Sequence, residues 1–395
     1  MRNIIKKFPR IYFKLPKKND VVIFDSETYE KTKIFDINKI LILDARRESI
    51  NVLILLISLK YIFILKDLTL YQKYLITYIK FINPKFVITF NYNNLFFWSL
   101  KKYFKDTKFI IIQSSVINGH AEGNIFYRAR NLNLSKQKID YIFTWGKEIE
   151  KIFKDFIDAK YFCCGSLINN KFKNIESSNK KDTIVFISQF KFHDKNKTIP
   201  GAKNDLNTFE TNVKERKIVL NIILSYCKIN NLKLFILSRG SFNNHDEKVL
   251  KEEQIYYEKL IGKENFHLIR KQNQNDIYKI INDYNYFAVI SSSVGYEALS
   301  RAKRVAFLNV HHNISNYLEG EKLKYGYPAD LPLKGPFWTN EASKNEIFRV
   351  LDFLINSSKE EWSKFKDKYI SPAIIYDENN KNFKEKLNSI GLNIL

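Results

Sequence analysis

At 395 residues the chain has room for two domains of ordinary size. Lys and Arg number 65 against 42 Asp and Glu, a formal charge of +23, but the basic residues are spread along the chain without zinc-finger, RRM or KH spacing, so a nucleic-acid partner is not expected. An anionic membrane surface or a phosphorylated substrate accounts for the charge equally well, as in part does a general preference for Lys beside abundant Ile and Asn.

Taken in chain order, Met1–Arg10 is basic but has no apolar core ahead of a small-residue cleavage site, so a signal peptide is not expected and the chain reads as cytoplasmic. Apolar β-branched runs then alternate with helical stretches. Strands are expected at Val21–Phe24, Ile40–Leu43, Tyr61–Leu65, Phe86–Phe90, Lys108–Ile112, Asp140–Thr144 and Tyr161–Cys164. A second set follows at Thr183–Ile187, Lys233–Leu237, Asn265–Ile269, Tyr286–Ile290 and Arg304–Leu308. Continuous rather than alternating hydrophobicity marks strands covered on both faces, so the fold class is α/β, with a parallel sheet wrapped by helices in each half and a cleft between the two. The expected division is a first domain over 1–168, a polar joint at 169–182 rich in Asn and Lys, a second domain over 183–355, and closing helices over 356–395 that pack back on the first domain.

The longest apolar run, Ile50 to Leu65, is interrupted by Ser58 and Lys60 and is shorter than the roughly 20 residues a membrane span requires. It reads as a buried helix followed by a buried strand. Phe96-Phe97-Trp98 with Lys101, Lys102 and Lys105 reads as a helix whose aromatic side packs on the sheet; a membrane-facing helix is the other reading. Three cysteines, Cys163, Cys164 and Cys227, offer neither a disulfide framework nor CxxC spacing. The six histidines are scattered, and His311–His312 are adjacent rather than at i, i+4, so no metal site is expected.

The richest stretch is Ala288-Val-Ile-Ser-Ser-Ser-Val-Gly-Tyr-Glu-Ala-Leu-Ser300: a buried strand, a turn of hydroxyl residues, and a helix opening near Gly295. The first N–H groups of such a helix converge at its partly positive end, which suits an anion. Ser291, Ser292 and Ser293 can cap the helix or meet a phosphate. Gly295 lets a ligand approach the backbone beside Tyr296, and Glu297 can accept from ribose hydroxyls. The alternatives are an ordinary N-cap at Ser293 and an ordinary first-turn acid at Glu297. Ligands in open α/β sheets gather beyond the carboxyl ends of strands. There Ser188, Gln189 and Lys191, and also Ser238, Arg239 and Gly240, would converge with the serine turn, as phosphate contacts or as plain surface residues.

Arg239 and the helix end can meet the charge of a departing phosphate without a metal, and no Asp-x-Asp pair at a strand end offers one a seat. The loop after Gln113 carries His120 and Glu122, either of which can take a proton from a substrate hydroxyl; Asp25, Glu27 and Asp44 are further candidates. The proline-bearing segment Leu323–Asn340 reads as a structured loop that lines the site or only the surface.

Several stretches together resemble a known family: Pro84–Asn94, Phe109–Ser115, Asp140–Gly146, Gly165–Asn170, Ile187–Phe190, Ser291–Ala298 and Gly335–Asn340. In that order they are similar to the GT-B glycosyltransferases of bacterial surface polysaccharide synthesis, the group that holds Kdo transferases, polysialyltransferases and "surface carbohydrate biosynthesis" proteins. The resemblance implies two Rossmann-like domains, the acceptor domain first, and a nucleotide-sugar donor at Ser291–Glu297. The donor it implies is a CMP-linked Kdo or nonulosonate, or else a UDP-sugar, with no further cofactor. The acceptor would be a glycan or lipid-linked glycan, with peripheral contact to the anionic inner membrane. A non-hydrolysing nucleotide-sugar epimerase and a non-catalytic module that binds glycan or membrane share the same scaffold.

Overall fold

The computed structural model describes residues 9–25, 33–116, 125–175, 182–190, 203–242, 247–310 and 332–393. By their contacts they form two units, the first running through Ser115, then Ile125–Asn170 and the stretch from Asn379, the second comprising Val116 and Lys171–Glu378.

The first unit holds β1 (Arg10–Tyr12), β2 (Val21–Phe24), β3 (Leu41–Leu43), β4 (Ser49–Asn51), β5 (Phe86–Thr89), β6 (Lys108–Ile112), β7 (Gln137–Thr144) and β8 (Ile157–Cys163). Its main sheet has the order β3-β2-β5-β6-β7-β8, and every pairing is parallel. Each residue of β2 and β5 is buried, as unbroken apolar runs require of strands covered on both faces. Asp36, Asn51, Thr69 and Asn94 accept backbone N–H groups as N-caps, and Thr69 closes a capping box with Gln72. The C-terminal helix Lys381–Ser389 completes this core, with Phe383 edge-on to Phe143 at 5.0 Å. β1 and β4 pair apart from the main sheet as a short parallel ladder.

Two expectations fail in this unit. Tyr61–Leu65 is not a strand: the helix Val52–Ser58 runs on into a 3-10 turn at Leu59–Tyr61, and Leu65 N–H bonds back to Tyr61 O at 3.0 Å. That run is also not buried, since Phe63 is 80 % exposed and Ile64 70 %. Apolar composition marks what gains from burial, but a strand also needs a neighbour with free backbone groups, and the ladder here ends at Asn51. The segment Phe96–Trp98 follows the packed reading, with Phe97 and Trp98 both buried.

The second unit holds β9 (Thr183–Ile187), β10 (Lys233–Ser241), β11 (His267–Lys271), β12 (Tyr286–Val289), β13 (Arg304–Leu308), β14 (Lys334–Gly335) and β15 (Trp338–Thr339). The order is β11-β10-β9-β12-β13-β15-β14, parallel except for the edge hairpin β14–β15. Chain order therefore reverses between β9 and β12: β10 and β11 are added on one side of β9, β12 and β13 on the other. The hairpin forms the described end of the proline-bearing segment, with Trp338 buried and its indole N–H bonded to Pro332 O. The α/β class with parallel sheets and Rossmann-like units is what the sequence led us to expect. No helix among the described residues is long and apolar enough to cross a membrane.

Candidate functional site

A cavity of about 470 Å³ opens at the carboxyl ends of β9, β10 and β12, where the strand order of the second unit reverses. Strand ends on the two sides of such a switch point splay apart, which leaves a ready-made crevice. Ser188, Gln189, Arg239 and Ser291–Ser293 all line it, so six of the residues expected to bind the donor come together.

Their partners show what each is held by. Ser292 is the N-cap of the helix Ser293–Ser300, its Oγ accepting Val294 N–H at 3.3 Å, so of the three serines able to cap the helix it is Ser292, not Ser293, that does. Ser293 Oγ accepts the N–H of Val116, which groups with this unit, at 3.2 Å. Gln189 spans the strand reversal: its Oε1 accepts Ser291 N–H at 3.3 Å and its Nε2 donates to Ser291 Oγ at 3.2 Å. Arg239 donates from Nη1 to Phe190 O at 3.0 Å.

Ser238–Gly240 are not a loop after a strand, as anticipated, but part of β10, whose register with β11 shifts between Leu237 and Ser241. The cause is Glu253 on the helix Glu247–Ile261. Its buried carboxylate accepts Arg239 N–H at 2.8 Å, Gly240 N–H at 3.2 Å and the Ser188 hydroxyl at 2.5 Å, drawing off backbone donors the ladder would otherwise use. Tyr257 donates to Ser188 Oγ at 2.7 Å from the same helix, and burial pushes its phenol pKa well up. One acid thereby fixes the ends of both β9 and β10.

Gly295, Tyr296 and Glu297 do not line the cavity. A Cβ on Gly295 would sit 2.8 Å from Val289 Cγ1 and 3.2 Å from Phe307 Cζ, so its smallness lets the helix lie close on β12 and β13 rather than admitting a ligand. Tyr296 is buried edge-on to Phe307 at 4.9 Å. Glu297 is buried rather than facing solvent, and its Oε2 accepts the Tyr278 hydroxyl at 3.1 Å. Burial and that carboxylate raise the Tyr278 phenol pKa well above its ordinary value. Tyr278 in turn stacks on Phe172 at 4.7 Å, whose carbonyl takes Arg301 Nη1 at 2.8 Å. Glu297 thus stands in a buried aromatic and ionic layer beneath the helix.

Arg216 and Lys271 line the cavity and were not singled out from the sequence. Arg216, on the helix Lys203–Ile229, is buried and donates to Gln189 O at 3.0 Å and Tyr256 Oη at 3.2 Å; its buried Nε meets no acceptor among the described residues. Lys271 ends β11 and reaches Arg239 O at 3.2 Å. Burial is the main influence that lowers its amine to about 8; the Arg239 charge adds to this and the Glu253 charge opposes it. Sequence did carry a signal for Lys271, since it sits at the carboxyl end of a parallel strand like Ser188, but the strand was expected to stop at Ile269.

Of the proton-transfer candidates, His120, Glu122 and Glu27 lie outside the described residues, as does Lys191. Asp25 lies at the carboxyl end of β2 in the first unit. It is buried, has φ 77°, and its Oδ2 accepts Arg46 Nε at 2.8 Å and Asn91 Nδ2 at 3.1 Å. Asp44 Oδ2 accepts the Ser49 hydroxyl at 2.6 Å.

Among solved structures, the chain is similar to a "putative UDP-N-acetylglucosamine 2-epimerase" from Listeria monocytogenes, with 11% identity and a TM-score of 0.48 over 94% of this chain and 96% of that one. It is also similar to the wall teichoic acid polymerase TagF, with 14% identity and a TM-score of 0.45 over 95% of this chain and 89% of that one. A third likeness is to a glycosyltransferase from Rickettsia africae, with 11% identity and a TM-score of 0.44 over 95% and 98% of the two chains. No curated protein matches the sequence. A family model described as "putative O-antigen biosynthesis protein" matches residues 110–390, which takes in the whole cavity, all of the second unit and, of the first, β7, β8 and the C-terminal helix. The chain belongs to that O-antigen biosynthesis family.

Proposed function

We propose that the protein is a glycosyltransferase of surface-polysaccharide synthesis whose second unit holds the nucleotide-sugar donor. The observation that carries this reading is the cavity at the strand-order reversal, lined by the cations Arg216, Arg239 and Lys271 and by the serine turn at a helix start. Phosphate oxygens need N–H donors and positive charge, and both are supplied here by protein groups. Buried Arg216 Nε meets no acceptor among the described residues, and a phosphate would provide one.

In the transfer, the bond from the anomeric carbon to the phosphate oxygen breaks and its electron pair leaves with the nucleotide. The acceptor hydroxyl oxygen forms the new bond to that carbon, and its proton passes to a base, which we assign to His120 with Glu122 as the alternative. Charge gathers on the departing phosphate, where Arg239 and Lys271 stabilise it most, so the acceleration comes from groups that bind the leaving state better than the ground state. We assign this role to cationic side chains rather than to a divalent ion, and turnover is expected to persist in EDTA. The favoured donors are CMP-Kdo or a CMP-nonulosonate, followed by UDP-sugars; the acceptor is a glycan or lipid-linked glycan.

The test is a thermal-shift and calorimetric panel of CMP, UDP, GDP and CDP, since a ligand of the folded state raises the melting temperature with the logarithm of its concentration over Kd. One base should stand out. A protein that binds none of the four at millimolar concentration would overturn the donor site and leave the non-catalytic module in its place. For an epimerase the same panel would favour UDP, and incubation with a UDP-sugar alone would yield its epimer without any acceptor. If His120 is the base, His120→Ala should lower turnover by roughly 10²–10⁴-fold with donor affinity kept.

A further inference from the structure

The apolar run that was expected to be buried in the first unit instead faces outward, and it does so beside a second exposed segment. Tyr12 of β1 pairs with Asn51 of β4, and Asn51 Nδ2 donates to Lys14 O at 2.6 Å, which ties residues 10–15 to the start of the helix Val52–Ser58. From the first segment Phe13 is 70 % exposed; from the second, Leu56 is 57 %, Phe63 80 % and Ile64 70 % exposed. Lys73 Nζ donates to Ile62 O at 3.1 Å and so holds the second segment's turn in place.

Soluble surfaces seldom gather so many large apolar side chains without a partner. The charges around them say what the partner is. Residues 9–18 carry Arg10, Lys14, Lys17 and Lys18, and residues 52–66 carry Lys60 and Lys66, without a single Asp or Glu in either stretch. A second copy of the chain is a poor occupant, because it would bring the same lysines and another +23 against this face. Aromatic and aliphatic tips that project from a turn, in stretches whose lysines carry long apolar stems, suit a surface that is apolar below and anionic above.

The geometry points to this face as the site where the protein binds an anionic lipid bilayer, with Phe13, Phe63 and Ile64 entering the headgroup–acyl boundary and the lysines meeting lipid phosphates. This assignment is independent of the donor cavity and does not rest on the sugar-transfer reading.

Sedimentation of the full chain with phosphatidylcholine vesicles, with and without phosphatidylglycerol, tests it. Binding is expected only to the anionic vesicles and should weaken as salt is raised. Phe63→Ser with Ile64→Ser should reduce partitioning by about tenfold or more, and Lys14→Glu with Lys17→Glu and Lys18→Glu by at least about as much. These side chains are exposed, so melting temperature should hold in both variants. All four native tryptophans are buried, so in Phe63→Trp the new indole alone should shift its emission to shorter wavelength on adding anionic vesicles. Absence of sedimentation, sedimentation unchanged by Phe63→Ser with Ile64→Ser, or an emission that ignores the vesicles would each overturn the assignment. So would a self-association seen by light scattering that the same double substitution abolishes while vesicle binding is absent.

Discussion

Lys271 and Glu297 carry the clearest expectations for single residues. The Lys271 amine loses its proton near pH 8 because burial penalises the charged form, so below that pH it is a cation facing the cavity and above it a neutral amine. Anion binding that uses it should therefore be strong at pH 7 and weaken as pH rises past about 8. Lys271→Met should cost on the order of 1.5–3 kcal/mol of nucleotide affinity at pH 7, the usual worth of a hydrogen bond to a charged group, and flatten the profile between pH 7 and 9. Calorimetry at both pH values checks this. The sign for stability is opposite: from about 8 up to its unfolded value the folded protein binds fewer protons at this site, so stability rises with pH across that window. Glu297→Ala would leave the buried Tyr278 hydroxyl without its acceptor, at a cost of about 1–3 kcal/mol. The expected readout is a lower melting temperature with nucleotide affinity largely kept; the reverse pattern would return Glu297 to the ribose.

At the scale of elements, Gly295 and Glu253 set how the parts of the second unit lie against one another. Gly295→Ala would place a methyl 2.8 Å from Val289 Cγ1, so the helix Ser293–Ser300 must shift off the sheet. A loss of about 1–3 kcal/mol, the usual cost of overpacking, is expected in chemical unfolding, together with weaker nucleotide binding because Ser291–Ser293 move with the helix. The strands of this unit were legible because an unbroken apolar run such as Thr183–Ile187 has few other uses than a strand covered on both faces. The serine turn was legible for the same reason, since it had to follow such a strand. Glu253 was harder to see. It lies on the buried stripe Leu250, Glu253, Tyr257 and Ile261, where an acid interrupting an apolar helical period was a visible anomaly, but its partners are 65 residues away just past the end of β9 and 14 away on β10. Tyr61–Leu65 was misread because hydropathy reports preference and not neighbours: the run is as apolar as Phe86–Thr89, yet it pairs with no strand among the described residues.

For the molecule as a whole, the first unit is not continuous in sequence. Phe383, Leu387 and Leu392 sit in the same core as Ile23, Ile110 and Phe143. Truncation after Glu378 should therefore leave β2, β5, β6 and β7 with an open apolar flank, and the first unit is expected to expose hydrophobic surface to a reporter dye. The second unit, whose stretch Lys171–Glu378 is uninterrupted, should still bind nucleotide. This connectivity also sets an order of events during synthesis. The ribosome makes the first unit's sheet strands first, but their core cannot close until the final helix has emerged, whereas the second unit has all its strands and helices before then. The first unit's sheet is thus made before the second unit and its core is closed after it, and in the interval its apolar flank is open to aggregation.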